Sequence, residues 1–444
     1  MPASRIAIRR LLALVLGVSL AAVAQASPPF FTHHKIAARG EVAPRSGGAV
    51  FWTFPGGLWV NAAGAVAFSA ELNGGTSSEG LFLSQGGQLE ALVLRGDPAP
   101  ASIGGSFGSL PGSASFNDSG ALAFLADVTG GPHGLFLTAG GVPTPIVLEG
   151  DPVPENASKF FNSIDCPSLN DAGAIAFIGS SELGEAIYVH ESSVTTRVVG
   201  EGDPAPGGRR FYGFECVVLD DSNDLLFVGH SYDASSHEGL FLVSGGEISL
   251  VASTGDPAPG TGGGSYSSFY LALPDLASGG IVFHAGIAGG DVPIGLFRVS
   301  GGVQSALALY GSPAPAAIGG LYDYLDPRPH VNAAGDAAFR AGVAGGTTSE
   351  GIFLIRDGVA IPVALSGDPA PGTGGGVHSV FADGSALSEL GAVAFLDSIS
   401  FGTTPRAIFL ATPPPASMPG FGIWGSLTLA FSLLAAGSLK LRRH

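Results

Sequence analysis

The strongest constraint on the fold of this chain is a motif that occurs seven times. Its clearest copies read NAAGAVAF, NDSGALAF, NDAGAIAF and NAAGDAAF, and successive copies begin 50 to 56 residues apart. The seven copies occupy residues 61–68, 117–124, 170–177, 220–227, 276–283, 332–339 and 388–395. A period of this length is typical of a repeat architecture in which each unit is one supersecondary element.

Two further motifs recur with the same count. A segment similar to Gly-Leu-Phe-Leu begins at residues 80, 134, 186, 239, 295, 351 and 407. A segment similar to Gly-Asp-Pro-Ala-Pro begins at residues 40, 96, 150, 202, 255, 311 and 367. Three motifs that each occur seven times indicate seven units of one architecture over residues 33–412.

Each unit contains four predicted strands. In the second unit an apolar stretch ends at Phe116, residues 117–120 form a tight turn, and strands follow at 121–125, 134–137 and 146–148. The prolines of the Gly-Asp-Pro motif cannot donate to a strand ladder, so this motif is a crossover between units. The sequence therefore predicts an all-β fold, a seven-bladed β-propeller of four-stranded antiparallel blades. A β-solenoid or a sandwich is the alternative.

The two ends of the array predict how the ring closes. The array opens with only the last strand of a unit, Lys35 to Arg39, and ends after the third strand of a unit, Ala407 to Leu410. We expect the N-terminal strand to complete the seventh blade. Outside the terminal segments, fewer than about one residue in ten should be helical.

The repeated motif resembles that of a bacterial tandem-repeat family named for its NxxGxxAF motif, a choice-of-anchor family. The resemblance covers nearly all of residues 33–412, and the fourth, fifth and seventh copies depart from it at the Asn. It implies a secreted or surface location and supplies no activity.

The N-terminal segment predicts export. Basic residues from Arg5 to Arg10 precede an apolar stretch from Leu11 to Ala24, and Ala24 and Ala26 supply the small residues that a signal peptidase accepts. We expect residues 1–26 to be a helical signal peptide that is cleaved after Ala26. A retained membrane anchor is the alternative.

The C-terminal segment predicts a membrane anchor. A Pro-rich spacer at 413–418 precedes a tail at 419–444. Within the tail, the uncharged stretch from Ile423 to Leu439 would span roughly 25 Å as a helix, which suffices for a thin bilayer. The basic residues that follow would remain in the cytoplasm.

The tail also resembles the bacterial IPTL-type sorting signal, a relative of the PEP-CTERM signals. The matching residues are Pro419, Trp424, Gly425, Arg442 and Arg443. Met418, Gly420, Phe421 and Gly422 depart from that pattern. The resemblance implies that a membrane-bound sorting protease or transpeptidase handles the tail.

The balance of charge excludes some partners. The chain has 36 acidic and 19 basic residues, a formal net charge of −17. This balance argues against nucleic acid and anionic lipid surfaces, which attract basic proteins. The predicted partners are the membrane through the C-terminal helix, the sorting enzyme, and a glycan or an envelope protein.

The Gly-Asp-Pro motif places an acidic side chain at the same point of most units. The residues are Glu41, Asp97, Asp151, Asp203, Asp256 and Asp368, with Ser312 in the sixth unit. We expect each Asp to hydrogen-bond the backbone of its own turn. A ring of carboxylates that binds cations is the alternative.

The units that depart most from the repeat supply the candidate ligand-binding residues, because the loops at a propeller mouth carry its function. These are the fourth and sixth units. Their candidates are Asp220, Asp221, His230, His237, Tyr322, Asp323, Tyr324 and Arg328. Neither group has the spacing of metal ligands or of a paired acid and base, so no catalytic residue, cofactor or metal is predicted.

The two cysteines occupy equivalent places in adjacent units. Cys166 lies four residues before Asn170, and Cys216 lies four residues before Asp220. We place both on the innermost strands, where neighbouring blades approach most closely. Because an exported protein meets oxidising conditions, we predict that the two residues are close and form a disulfide. A pair of buried free thiols is the alternative.

These observations favour an exported protein of the bacterial cell envelope, anchored in the membrane or displayed at the surface. The predicted function is that of a binding or interaction module. The alternative is an extracytoplasmic hydrolase or lyase that acts on polysaccharide at the mouth of the propeller.

Overall fold

The described residues form seven antiparallel β-sheets, one for each sequence unit, arranged as the blades of a propeller. The computed structural model describes residues 31–414, except residues 56, 111, 142, 234–235 and 270–273. All of these strands belong to one compact unit, Phe31–Thr412. None of the described residues is helical, as the sequence predicted. The predicted signal peptide and C-terminal tail lie outside the described residues.

The strands of the first three blades are Val50–Thr53, Leu58–Val60, Val66–Asn73, Glu79–Gln85 and Gln88–Leu94; Ala114–Phe116, Leu122–Ala126, Gly134–Thr138 and Thr144–Leu148; and Ser163–Leu169, Ile175–Ser181, Gly184–Glu191 and Val194–Gly200. Those of the fourth and fifth are Pro204–Ala205, Arg209–Leu219, Leu225–Tyr232, Ser236–Ser244 and Glu247–Ser253; and Ser265–Ser268, Asp275–Ala277, Gly280–Ala288, Ile294–Ser300 and Val303–Leu309. Those of the sixth and seventh are Leu321–Leu325, His330–Val331, Ala337–Ala344, Glu350–Arg356 and Val359–Leu365; and Val377–Leu387, Val393–Ser400, Arg406–Thr412 and Thr32–Ala38. Two short pairings, Ser106–Phe107 with Val128–Thr129 and Pro152–Val153 with Asn156–Phe160, accompany the second and third blades.

The ring closes through the N-terminal strand, as predicted. Thr32–Ala38 pairs antiparallel with Arg406–Thr412, so that Thr32 lies opposite Thr412 and Ala38 lies opposite Ala407. The seventh blade is therefore assembled from the two ends of the array. In the part of the chain that the structure describes, the third strand of every blade is therefore paired on both sides.

The innermost strand of each blade is irregular near its middle. In the fourth blade the register shifts between Phe214 and Val217, and in the seventh it shifts between Phe381 and Ser385. Other blades break the strand at the same place, between Leu58–Val60 and Val50–Thr53 for example. A bulge re-aims the side chains around it, and these irregular segments supply residues of the site described below.

Three rings pack together inside every blade. In the first blade they are Phe51, Phe68 and Phe82, one from each of three neighbouring strands, with centroids 5.0 to 5.8 Å apart. The last two come from the Ala-Phe and Gly-Leu-Phe-Leu motifs. Apolar contacts also continue across the seams between blades: Phe54 and Leu58 pack in one cluster with Leu396 of the seventh blade. The recurring aromatic residues are thus the core of each unit.

The Gly-Asp-Pro motif is a structural turn. Asp97 Oδ2 accepts a hydrogen bond from the Leu94 N–H at 2.9 Å, and the same bond recurs at 2.8 to 3.2 Å for the other four Asp residues. In the first unit Glu41 accepts from the Ala38 N–H, and in the sixth Ser312 Oγ accepts from the Leu309 N–H. The prediction that these carboxylates cap their own turns is confirmed.

The predicted disulfide is not formed, although the two cysteines pack in one apolar cluster. Both cysteines are thiols, and the Cys166 thiol donates to the Glu215 carbonyl at 3.3 Å. Cys166 sits at a strand irregularity with φ 51°, which aims its side chain at that carbonyl. Burial raises the pKa of the Cys166 thiol to about 12, so the thiolate needed for oxidation is scarce.

Candidate functional site

The turns of the NxxG motif surround one mouth of the central channel. A cavity of about 300 Å³ there is lined by residues from all seven blades, among them Val60, Asn117 and Glu389. The cavity is lined by the ends of the strands that lead into the motif turns, such as Leu58–Val60, Ala114–Phe116 and Asp275–Ala277. These strands are therefore the innermost ones, as the sequence predicted. The mouth opens where the motif turns meet.

The Asn of the motif makes two kinds of hydrogen bond. Within its own turn, Asn117 Oδ1 accepts from the Ala121 N–H at 2.9 Å. Across the seam, Asn117 Nδ2 donates to the Asn170 carbonyl of the next blade at 3.0 Å. Asn170 repeats both bonds, toward Ala174 and toward the Asp220 carbonyl. The motif residue therefore joins adjacent blades.

The carboxylates beside these Asn residues extend the same chain. Asp171 Oδ1 accepts from the Asp118 N–H at 2.7 Å, and Asp221 Oδ1 accepts from the Asp171 N–H at 2.8 Å. Asp220 Oδ1 accepts from two N–H groups of its own turn. Burial raises the pKa of Asp171 and of Asp220. The candidates Asp220 and Asp221 thus have backbone partners and serve the architecture.

The two candidate histidines of the fourth blade have acidic partners. His230 Nε2 lies 2.9 Å from Glu215 Oε1, and His237 Nε2 lies 3.4 Å from Asp233 Oδ1. Near His230, Glu185 and Glu238 accept hydrogen bonds from N–H groups of the following blades, and burial raises the pKa of both carboxyl groups. His230 thus lies among carboxyl groups in the middle of three adjacent blades.

The four candidates of the sixth blade separate into different environments. Tyr322 is buried in the aromatic core of its blade, packed on Phe339. Asp323 is exposed. Tyr324 is partly exposed, and the Arg340 guanidinium lies 5.3 Å from the centroid of its ring. Arg328 lines a cleft together with Arg340.

We name this cleft the arginine cleft. Its volume is about 460 Å³, and it lies between the sixth, seventh and first blades. It is lined by Thr53, Phe54, Pro55, Arg328, Arg340, Phe381, Ala382, Leu396 and Arg406. Arg406 lies in register with Ser398 and thereby with Val380, near the start of the innermost strand. The cleft is therefore closer to the end of the channel opposite the NxxG turns.

The three arginines of the cleft differ in their partners. Arg340 forms ion pairs with Glu350 at 3.2 Å and with Asp326 at 3.6 Å. The side chains of Arg328 and Arg406 form no hydrogen bond or ion pair with any described residue, and Arg406 Nε is buried without a partner. Two cationic side chains thus line the cleft without a direct partner among the described residues, in a chain whose net charge is −17.

Sequence reasoning identified Arg328 but missed Arg340 and Arg406, although a signal was present. Arg340 follows the motif Phe, a place held elsewhere by Ser69, Leu125, Ile178, Val228, His284 and Leu396. Arg406 precedes the third-strand motif, a place held elsewhere by Glu79, His133, Glu185, Glu238, Ile294 and Glu350. Comparing the units position by position would have found both.

Neither metal ligands nor a membrane span is found in the part of the chain that the structure describes. No three His, Cys, Asp or Glu side chains there are grouped to hold a metal ion. No helix in that part has the length and apolar character required to cross a bilayer.

Comparison with known families and structures gives one family and a distant likeness in fold. The matching family is described as a family of unknown function (DUF7453), with matches over residues 32–345 and 294–406. Among curated proteins, none matches the sequence significantly.

Three solved structures illustrate the likeness in fold. A puromycin-hydrolysing peptidase from Mycobacterium tuberculosis is 10% identical with a TM-score of 0.45, covering 86% of this chain and 55% of that one. The chain thus spans about half the length of that peptidase. A lectin from Aleuria aurantia (a mutant bound to Fucα1-6GlcNAc) is 10% identical, with a TM-score of 0.32 and coverage of 71% and 96%. The β-propeller domain of the Trilobed protease from Pyrococcus furiosus, with an open velcro topology, is 14% identical, with a TM-score of 0.31 and coverage of 67% and 94%.

Proposed function

This chain belongs to the family of unknown function DUF7453, and we propose from its own residues that it is an exported, membrane-anchored or surface-displayed binding module. The ligand enters the arginine cleft. No chemical step is assigned to the cleft.

The observation that carries this proposal is the unpaired charge in the arginine cleft. The residues that recur in the units have architectural partners, because the Asn, Asp and Phe of the motifs cap turns, join seams or fill cores. Arg328 and Arg406 interrupt the repeat and have no such partner among the described residues. Side chains that differ from the repeated pattern and line a concave surface are typical of ligand-binding sites.

The proposed location is supported by the sequence of the two ends. A basic segment, an apolar segment and small residues at Ala24 and Ala26 favour cleavage and export. The apolar stretch from Ile423 to Leu439, with arginines after it, favours an anchor. A sorting protease or transpeptidase is the proposed partner of this tail.

A second function, a polysaccharide hydrolase or lyase, is favoured by one observation. Glu215 and His230 form a pair at 2.9 Å, and the nearby Glu185 and Glu238 have pKa values raised by burial. Carboxyl groups with raised pKa values can act as general acids. In this reading Glu215→Gln abolishes turnover of a polysaccharide and leaves binding at the arginine cleft unchanged.

The test is a binding screen of the full chain in detergent against a glycan array and envelope extracts. We expect at least one ligand whose binding is lost in Arg406→Glu and retained in Glu215→Gln. The proposal is overturned if binding of every captured ligand is unaffected by Arg406→Glu and Arg328→Gln. Release of reducing sugar from a captured polysaccharide, lost in Glu215→Gln, would establish the second function instead.

A further inference from the structure

We propose that the arginine cleft recognises an oxyanion group on a compact acidic saccharide, with the carboxylate of a sugar acid as the best match. This inference rests on the proposed function and names the class of its ligand. In this proposal Arg328 and Arg406 contact the anion, and Arg340 is the residue that positions them.

The unpaired guanidinium groups identify the charge of the ligand. Arg328 and Arg406 line one cleft and have no described ion pair, and Arg406 Nε is withdrawn from water without a hydrogen-bond partner. A guanidinium has five donors and no acceptor, so only an acceptor can satisfy that atom. A carboxylate or another oxyanion matches the fork of an arginine with two parallel hydrogen bonds.

The position of Arg406 in its blade reinforces this inference. At the same position Glu185 accepts from the Phe214 N–H at 2.8 Å, Glu238 from the Phe269 N–H at 2.9 Å, and Glu350 from the Phe381 N–H at 3.0 Å. Each Glu therefore joins its blade to the next. An arginine cannot accept such a bond, so the seventh blade has a charge of opposite sign where three other blades have a structural carboxylate.

Arg340 is held in place by the protein itself. It forms ion pairs with two carboxylates, Glu350 and Asp326, and its guanidinium lies over Tyr324. It is 15% exposed in its side chain. These contacts fix one wall of the cleft before any ligand arrives, which lowers the entropy cost of binding.

The size of the cleft and the charge of the chain limit the ligand. A volume of about 460 Å³ lies within the range of roughly 300–1,000 Å³ that small-molecule sites occupy. The net charge of −17 repels an extended polyanion, which would run over acidic surface beyond the cleft. A short saccharide places an acidic group at the arginines and avoids most of this repulsion.

The experiment measures binding of defined sugars to the full chain in detergent by calorimetry. The probes are digalacturonate, its neutral counterpart galactobiose, galactose 6-sulfate and inorganic phosphate. We expect digalacturonate to bind and galactobiose to bind at least about tenfold more weakly, since charge-assisted hydrogen bonds are the stronger kind. Added salt should weaken the binding of the acidic probe. Tighter binding of galactose 6-sulfate or phosphate than of digalacturonate would overturn the preference for carboxylate and retain the oxyanion site.

The variants are Arg406→Glu, Arg406→Gln and Arg328→Gln. The first introduces the Glu that the first, third, fourth and sixth blades have at this position. Arg95→Gln is the matched control, because Arg95 is an exposed arginine paired with Glu79 outside the cleft. We expect the cleft variants to weaken digalacturonate binding roughly 10- to 100-fold and Arg95→Gln to weaken it less than about twofold. Thermal unfolding shows which of the variants are folded, and Arg328→Gln tests the cleft without altering the seam.

Two results would overturn the inference. Equal weakening by Arg95→Gln would show that only the overall charge matters. The second result is that a neutral ligand binds, that the cleft variants lose this binding, and that no acidic probe binds. The proposed binding function would then hold, but its ligand would not be an anion. If ligands of every class bind independently of the cleft residues, the proposed site fails as well.

Discussion

Replacing the motif Asn by Asp tests how neighbouring blades are joined. Asn117 is 5% exposed, and it both accepts from the Ala121 N–H and donates to the Asn170 carbonyl. Asn117→Asp keeps the acceptor and replaces the donor by a carboxylate oxygen that faces a carbonyl oxygen. The fold of the turn is retained, and the bond across the seam is lost.

We expect Asn117→Asp to lower the free energy of unfolding by about 1.5–4.5 kcal/mol at pH 7. The lost hydrogen bond contributes roughly 0.5–1.5 kcal/mol. Burying a carboxylate beside a carbonyl contributes roughly another 1–3 kcal/mol. The Asn170 carbonyl keeps a second partner, the Gly173 N–H at 3.1 Å, so no unsatisfied acceptor adds to this cost.

Asp220→Asn is the matched reverse change in the fourth blade. The two hydrogen bonds that Asp220 Oδ1 accepts, from Ser222 and Asp224, are equally available to an Asn. Because burial raises the pKa of Asp220, its charged form is disfavoured in the fold, and we expect Asp220→Asn to cost no stability at pH 7.

The assay is equilibrium unfolding in urea, followed by far-UV circular dichroism and by the fluorescence of Trp52 and Trp59. The reasoning is refuted if Asn117→Asp costs less than about 0.5 kcal/mol. It is also refuted if Asp220→Asn costs as much as Asn117→Asp.

Three further predictions concern acid, the thiols and the tail. Burial lowers the pKa of His284 to about 4, and burial also lowers the pKa of His33. The stability contributed by these neutral histidines is therefore complete above the unfolded pKa of about 6.5, and it falls as the pH decreases toward the folded values. His284→Val introduces the residue found at Val228 and should remove about 2–3 kcal/mol of this acid-induced loss. Urea titrations between pH 7 and pH 4 measure the difference. Cys166 and Cys216, whose pKa values burial raises, should react with iodoacetamide at pH 8 only as fast as the protein unfolds, and mass spectrometry of quenched samples should contain no native-state adduct. Deleting residues 413–444 should release a soluble, folded protein into the medium, measured by circular dichroism of the secreted fraction; an unfolded product would show that the tail belongs to the core.

The architecture could be predicted from the sequence because its determinants are local and repeated. Each determinant acts within one unit: the turn at Asn117, the aromatic residues of the strands and the proline crossover. The seven copies therefore support the same prediction independently. The incomplete units at the two ends predicted the pairing of Thr32–Ala38 with Arg406–Thr412. The structural role of Asp97 and its equivalents also followed from local turn chemistry.

The site could be predicted only in part because it is assembled across seams. Arg328, Arg340 and Arg406 come from two blades and meet Phe54 of a third, and no local rule relates residues so far apart in the chain. The cysteines illustrate the same limit. Their packing in one cluster follows from equivalent places in adjacent blades, but the strand irregularity that turns Cys166 toward the Glu215 carbonyl does not.

A departure from the repeat is not by itself evidence of function, as the seventh blade demonstrates. His378 replaces the inner aromatic residue there, and its Nδ1 lies 2.8 Å from Asp397 Oδ2 while its Nε2 lies 3.1 Å from His33 Nδ1. His378 and Asp397 are fully buried and bonded to one another, and His378 also contacts His33, so these groups hold the closing strand in place. The arginine cleft differs on both counts, because Arg328 and Arg406 reach a cavity and lack a described partner. A departure indicates a binding site when its side chain lines an open cavity and its polar atoms lack a partner in the fold, since a ligand can then supply the hydrogen bonds that the fold does not.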